Sequence, residues 1–292
     1  MEATNPTVAL IYDFDGTLSA GNMQEYDFIP AVAKTIRDFW SESSQLARDA
    51  DADPILTYMA RMIAEARSSG VPITREGFRM SGSRVKLFPG VEEWFGRINR
   101  YGAEKGLHIV HYINSSGIRE MIEGTSIAAE FRKIYACSFL YDDAGEAYWP
   151  GVSVNYTNKT QFIFKINKGL EPVWDAKAVN EFIPENLRPV PFRRMIYFGD
   201  GTTDIPCMRL VKSSGGYSIA VYDPSEEKVG SAGRSSGSAV SYAEESARRL
   251  LGENRVNFVS PADYGPDGLL DRIVHTIIDK IAAEVALASL CE

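Results

Sequence analysis

The chain has 292 residues, and 31 Lys and Arg against 39 Asp and Glu give a formal net charge of -8. An acidic balance argues against a binder of nucleic-acid backbones, which needs a basic face. Hydrophobic residues make up 45% and aromatics 11% of the chain, so it is not disordered in bulk; its length fits one large domain or a core with a smaller companion. Cys137, Cys207 and Cys291 are odd in number and far apart, which leaves no disulfide framework and no thiolate zinc spacing. The first residues carry no basic region, and the apolar run Val8 to Tyr12 is cut off by Asp13. It is too short for a signal peptide or a membrane span, so a cytoplasmic protein without membrane or nucleic-acid partners is expected.

In chain order, Thr7 to Tyr12 is a short continuous apolar run, as in a strand covered on both faces of a parallel sheet. From about Ser19 to Leu87 only helical patterns follow, Ala31 to Ala50 and Ile55 to Ser68, ended by Gly70 and Pro72. Helical periodicity resumes at Val91 to Tyr101, and the run Leu107 to Ile113 has strand length. The spacing then predicts helices over Ile118 to Ile134, Lys159 to Ile166 and Asp175 to Ile183, and strands at Met195 to Phe198, Ser218 to Tyr222 and Val256 to Val259. Two more helices are expected at Tyr242 to Leu250 and Leu269 to Leu290, with a surface loop at Gly230 to Ser238. The aromatic stretch Tyr135, Phe139, Tyr141, Tyr148, Trp149 and Tyr156 reads as a packed β-ribbon or a core edge, since no basic face accompanies it. Alternation of strand and helix predicts an α/β fold, a Rossmann-like doubly wound parallel sheet. The expected core is 1–18 and 88–292, with 19–87 as a small helical domain.

The first strand runs directly into Asp13-Phe14-Asp15-Gly16-Thr17-Leu18, and the run Met195 to Phe198 leads into Gly199-Asp200-Gly201-Thr202-Thr203-Asp204. Ligands of open α/β sheets bind outside the carboxyl ends of the strands, so both acidic loops belong at the working edge. Either loop alone reads equally well as an Asp/Gly turn. A calcium loop counted from Asp13 would end in Glu at its twelfth position, which is Gln24. Two carboxylates about 4 Å apart repel by roughly 4 kcal/mol at an effective dielectric of 20, and a hard divalent cation removes that cost. Oxygen ligands without His or Cys favour Mg2+. His108 and His111 are three apart on a strand and face opposite sides, His275 lies on the last helix, and no Walker loop is present.

These two loops resemble the first and fourth motifs of the haloacid dehalogenase superfamily, most of whose members are magnesium-dependent phosphohydrolases. The resemblance implies that Asp13 is the nucleophile of an aspartyl-phosphate intermediate and Asp15 the general acid and base. It further implies that Asp13, the Asp15 backbone carbonyl, Asp200 and Asp204 surround Mg2+. The second motif is matched by the strand ending in Asn114-Ser115-Ser116-Gly117, so that Ser115 and Ser116 would bind phosphate. The third motif is a lysine. Lys159 opens its helix at the strands' carboxyl edge, whereas Lys168 lies about 13 Å further along; Lys159 is favoured, with Lys165 and Lys168 left open. A carboxylate at Asp15 departs from the dehalogenase and transport-ATPase branches and agrees with hydrolysis. A phosphomutase, or a phospho-ligand sensor without catalysis, are the alternatives. In this superfamily an insertion at 19–87 is a cap that selects a small phosphorylated metabolite, with Glu25, Tyr26, Arg61, Arg75, Arg79 and Arg84 as possible contacts. Against phosphoserine phosphatases, the motif order and helical cap match, but Asn22 stands where their cap carries an acid and Glu25 is displaced.

Overall fold

The computed structural model describes residues 5–225 and 241–290; the predicted loop Gly230 to Ser238 and Cys291 lie outside them. Strand β1 (Thr7–Tyr12) is followed by four helices, α1 (Phe28–Ala31), α2 (Ile36–Ala50), α3 (Pro54–Ser69) and α4 (Arg75–Gly82). Next come α5 (Val91–Glu104), β2 (His108–Ile118), α6 (Arg119–Glu123), β3 (Phe131–Tyr141), β4 (Ala147–Val152), α7 (Lys159–Lys168) and α8 (Ala176–Asn180). The chain closes with β5 (Met195–Gly199), α9 (Ile205–Ser213), β6 (Tyr217–Tyr222), α10 (Tyr242–Gly252), β7 (Phe258–Pro261) and α11 (Leu269–Ser289).

The seven strands form one sheet in the order β4-β3-β2-β1-β5-β6-β7, parallel throughout except for β3 against β4. This is a doubly wound α/β sheet of Rossmann type. The chain builds outward from β1 through β2 and β3, then returns to the other side of β1 with β5. The switch in strand order therefore falls between β1 and β5, where such sheets open a crevice for ligands. Val8 to Tyr12 are fully buried, as their unbroken apolar run requires. Among the described residues no helix is long and apolar enough to cross a membrane.

A hydrogen-bond chain fixes β1 laterally. Trp94 Nε1 donates to the Tyr12 hydroxyl at 2.9 Å, which donates to His111 Nδ1 at 3.0 Å, while His111 Nε2 donates to Asn99 Oδ1 at 2.9 Å. Burial pushes the His111 imidazole down to about 3, so it is neutral and one tautomer serves both bonds. His108 is exposed, on the opposite face from His111.

Three expectations are corrected. Ile118 to Ile134 is not one helix: β2 runs on to Ile118, α6 is a single short helix, and β3 begins at Phe131. Gly124, Thr125 and Ser126 interrupt the helical pattern, and the buried run Tyr135 to Phe139 pairs with β2 and β4. Tyr135, Phe139, Tyr141, Tyr148 and Trp149 thus lie on the antiparallel ribbon β3–β4, whereas Tyr156 lies beyond it, and Tyr148 and Trp149 are exposed rather than packed. Only Ala176–Asn180 of the predicted Asp175 to Ile183 is helical; Trp174 and Phe182 are 83% and 84% exposed, so no apolar face anchors a longer helix. The pattern Ala31 to Ala50 divides into α1 and α2, with Thr35 capping α2 through the Asp38 amide.

The helices between β1 and α5 are fastened to the far edge of the sheet. The Ala147 amide donates to the Ile73 carbonyl at 2.9 Å, and Phe78 stacks on Phe139 with ring centroids 5.3 Å apart. Helices α4 and α6 meet backbone to backbone. A Cβ on Gly82 would lie 1.9 Å from the Met121 carbonyl oxygen, and one on Gly124 would lie 2.0 Å from that of Arg79. Arg79 with Glu123, and Arg75 with the fully buried Glu120, span the same contact.

Candidate active site

Strands β1 and β5 end side by side, and the Asp13 amide donates to the Phe198 carbonyl at 2.9 Å. The chain then tightens. The Leu18 and Ser19 amides return to the Phe14 carbonyl, and Gly16 donates to Ser19 at 2.8 Å. Gly16 has φ +73 and a Cβ there would fall 2.2 Å from Asp200 Oδ2. The turn after Asp13 and the seat of Asp200 therefore both depend on glycine.

Asp13, Asp200 and Asp204 each bring a carboxylate oxygen within 4.8 Å of the others. Asp13 is 6% exposed and Asp204 fully buried, while Asp200 faces the open side. Asp13 Oδ1 accepts the Phe14 amide at 2.8 Å, and its Oδ2 lies 3.2 Å from Lys159 Nζ. Asp204 Oδ1 accepts from Lys159 at 2.6 Å and from the Tyr197 hydroxyl at 2.7 Å. Asp15 turns the other way, its Oδ1 accepting the Met23 amide at 2.9 Å.

Lys159 is the first residue of α7 and is wholly buried. Asn114 Nδ2, within β2, donates to its carbonyl at 3.2 Å, tying that strand to the helix start. Lys165 and Lys168 instead donate to backbone carbonyls, of Pro172 and Asp175 and of Val179 and Glu181 respectively. Ser115 and Ser116 line the chamber above the carboxylates. Ser115 Oγ accepts the Gly117 amide at 3.0 Å, while the buried Ser116 Oγ has no partner.

Burial raises the Asp13 carboxyl to about 7, Asp204 adding to the rise and Lys159 opposing it. Burial, then the charge of Asp13, holds Asp15 well above the usual carboxylate range; burial with Asp13 and Asp204 does the same to Asp200. For Lys159 burial pulls downward, but Asp13 and Asp204 outweigh it and the ammonium stays charged. One lysine against three converging carboxylates leaves excess negative charge. An all-oxygen donor set of this kind suits a hard divalent cation.

The arginines considered as contacts do not reach the chamber: Arg61 pairs with Glu42 and Glu65, Arg75 with Glu120, Arg79 with Glu123, and Arg84 with Asp27. Glu25 accepts from Trp40 Nε1 at 2.8 Å and from Asn22 Nδ2 at 2.6 Å, and Tyr26 donates to the Ala20 carbonyl. Sequence reasoning missed Trp40, Tyr58 and Tyr197. Tyr197 sits two residues before Gly199 in β5, a spacing that marks the face it shares with the loop; no local signal marks Trp40 or Tyr58.

A model of haloacid dehalogenase-like hydrolases matches residues 10–209. An uncharacterized protein of Borreliella burgdorferi is 28% identical over 311 residues, covering 95% of this chain and 98% of that protein. Among solved structures, a probable phosphoserine phosphatase from Vibrio cholerae superposes with a TM-score of 0.53 at 12% identity, over 96% of this chain and 67% of that one. A HAD family hydrolase from Salmonella enterica serovar Typhi gives 0.50 at 18% identity, over 75% of this chain and 64% of its own. At these identities the superpositions speak for the fold alone.

Proposed function

Because the chain belongs to the haloacid dehalogenase-like hydrolase family, we propose that this hydrolase is a phosphomonoesterase acting through an aspartyl-phosphate on Asp13. The observation that carries this reading is the pair Asp13 and Asp15 in one chamber with a buried ammonium behind the first. Asp13 Oδ attacks phosphorus and the bond to the leaving alcohol breaks. Asp15, whose carboxyl burial pushes well above the usual carboxylate range, gives that oxygen its proton. The Asp15 carboxylate then takes a proton from water, whose oxygen attacks the acyl phosphate and frees Asp13 and inorganic phosphate.

Lys159 holds positive charge beside Asp13, and Tyr197 and Asp204 fix it there. Ser115 and Ser116 supply hydroxyls to the phosphoryl oxygens. Asp13, Asp200, Asp204 and the Asp15 carbonyl would hold Mg2+, which supplies charge neutralisation for the phosphoryl group and for the carboxylates themselves. The helical insertion 19–87 serves as a cap, roofing the chamber with Gln24, Trp40, Ile55 and Tyr58. The test is release of inorganic phosphate from p-nitrophenyl phosphate and a panel of small phosphorylated metabolites with magnesium present. Asp13→Asn is expected to lower turnover at least about a thousandfold; wild-type turnover in that variant would overturn the reading.

A further inference from the structure

Helix α3 of the insertion reaches the serine side of the chamber through one bond. The Tyr58 hydroxyl donates to the Ser116 carbonyl at 2.7 Å, and Tyr58 is 4% exposed. That carbonyl belongs to a bulge. β2 pairs with β3 at Asn114 and Tyr135 and again at Ile118 and Cys137, so that Ser115, Ser116 and Gly117 face Ala136 alone. Bulges re-aim side chains and recur beside active sites, and a buried carbonyl displaced from the ladder needs a donor from elsewhere. Cys137 Sγ also donates to the Ser116 oxygen, at 3.3 Å, but a thiol is a weak donor. The insertion holds the far end of the bulge as well: the Ile118 amide donates to Met23 Sδ at 3.2 Å, and a Cβ on Gly117 would lie 2.2 Å from Met23 Cε.

The consequence lies one peptide bond away. The Ser116 carbonyl and the Gly117 amide share a plane, and that amide donates to Ser115 Oγ at 3.0 Å. Tyr58 therefore fixes the plane, and the plane fixes the Ser115 oxygen. With one lone pair taken by the amide, the Ser115 hydroxyl keeps its hydrogen for another acceptor. Linked hydrogen bonds of this kind polarise one another, and Ser115 lines the same chamber as Asp13.

We infer that Tyr58 is a positioning residue: from the insertion it sets the peptide between Ser116 and Gly117 and, through it, aims the Ser115 hydroxyl at a phosphoryl oxygen. This rests on the phosphomonoesterase reading and adds to it a residue that acts through another.

The test is a double-variant cycle on hydrolysis of p-nitrophenyl phosphate with magnesium. Tyr58→Phe keeps the ring, which packs edge to face on Trp40 at 5.7 Å, and removes only the hydroxyl. It is expected to lower kcat/KM about tenfold in the wild-type background and less than about twofold in Ser115→Ala. A hydroxyl that merely steadies the insertion would cost the same factor in both backgrounds, so equal losses overturn the inference, as does an unchanged kcat/KM in Tyr58→Phe. Should Tyr58→Phe not fold, 3-fluorotyrosine at position 58 replaces it. Its more acidic hydroxyl should shift kcat/KM about twofold or more with Ser115 present and leave Ser115→Ala unmoved; equal shifts, or none, overturn the inference.

Calorimetric binding of inorganic phosphate with magnesium supplies the same cycle if Ser115→Ala turns over too slowly to measure. It also decides the inference separately if the wild-type protein hydrolyses no ester and the phosphatase reading fails. Affinity lowered about tenfold by Tyr58→Phe only when Ser115 is present upholds it. Equal loss in both backgrounds, no loss, or no phosphate binding by the wild-type protein overturns it.

Discussion

Lys159 Nζ donates to Asp204 Oδ1 at 2.6 Å, and neither side chain has any exposed surface. Removing one member of a buried charge pair strands the other, at about 3–5 kcal/mol. Lys159→Met should therefore lower stability by about 3 kcal/mol and abolish phosphate release. Adding Asp204→Asn should recover most of the lost stability but not the activity. Chemical denaturation of the single and double variants checks this; a double variant no more stable than the single would refute it.

Without a divalent cation the Asp13 carboxyl rises to about 7 from an ordinary value of 3.8. A folded-state value above the unfolded one favours the protonated native protein. Its contribution is complete below about pH 4 and is lost as pH rises through about 7. Cation binding needs the ionised carboxylate, so saturating magnesium should raise Tm more at pH 8 than at pH 5. An equal rise at both would show that Asp13 does not couple to the metal.

His111 has the opposite sign. Its folded-state value, about 3, lies below the ordinary 6.5, so its contribution is complete above about pH 6.5 and drains away as pH falls toward 3. Between those limits it adds a slope of up to about 1.4 kcal/mol per pH unit. The slope of unfolding free energy against pH should be shallower in His111→Gln than in the wild type; identical slopes would place the acid sensitivity elsewhere.

The contact between α4 and α6 makes a paired prediction. Gly124→Ala puts a methyl group 2.0 Å from the Arg79 carbonyl oxygen and should cost more than about 2 kcal/mol. Gly96→Ala, within α5 and 3.6 Å from its nearest neighbour atom, Arg100 Nη1, should stabilise by about 0.5–1 kcal/mol. Thermal unfolding of the two variants distinguishes steric closeness from helix propensity.

The carboxylates were legible in the sequence because each pair sits within a six-residue loop directly after a buried strand, so that local order alone carries Asp13, Asp15, Asp200 and Asp204. Lys159 required one more step, the direction of a helix that precedes a parallel strand. Strand β3 was hidden because its middle, Tyr135 to Phe139, is buried on both sides and lacks alternation, and such runs imitate a buried helix. Gln24, Trp40 and Tyr58 meet only when α2 and α3 fold over the sheet, and no local pattern encodes that meeting. Arg75 and Arg79 misled for a related reason: their partners, Glu120 and Glu123, belong to α6, distant in sequence from α4.

Trp94 and Asn99, the two ends of the hydrogen-bond chain through Tyr12 and His111, both belong to α5. The chain is therefore a closed ring passing through one helix and two strands. Sliding β1 along β2 by a single residue would sever it at the Tyr12 hydroxyl and the imidazole together. Because Tyr12 is followed at once by Asp13, the ring acts as a depth stop: it sets how far the first carboxylate projects beyond the sheet edge, and does so from the side of the molecule away from any ligand.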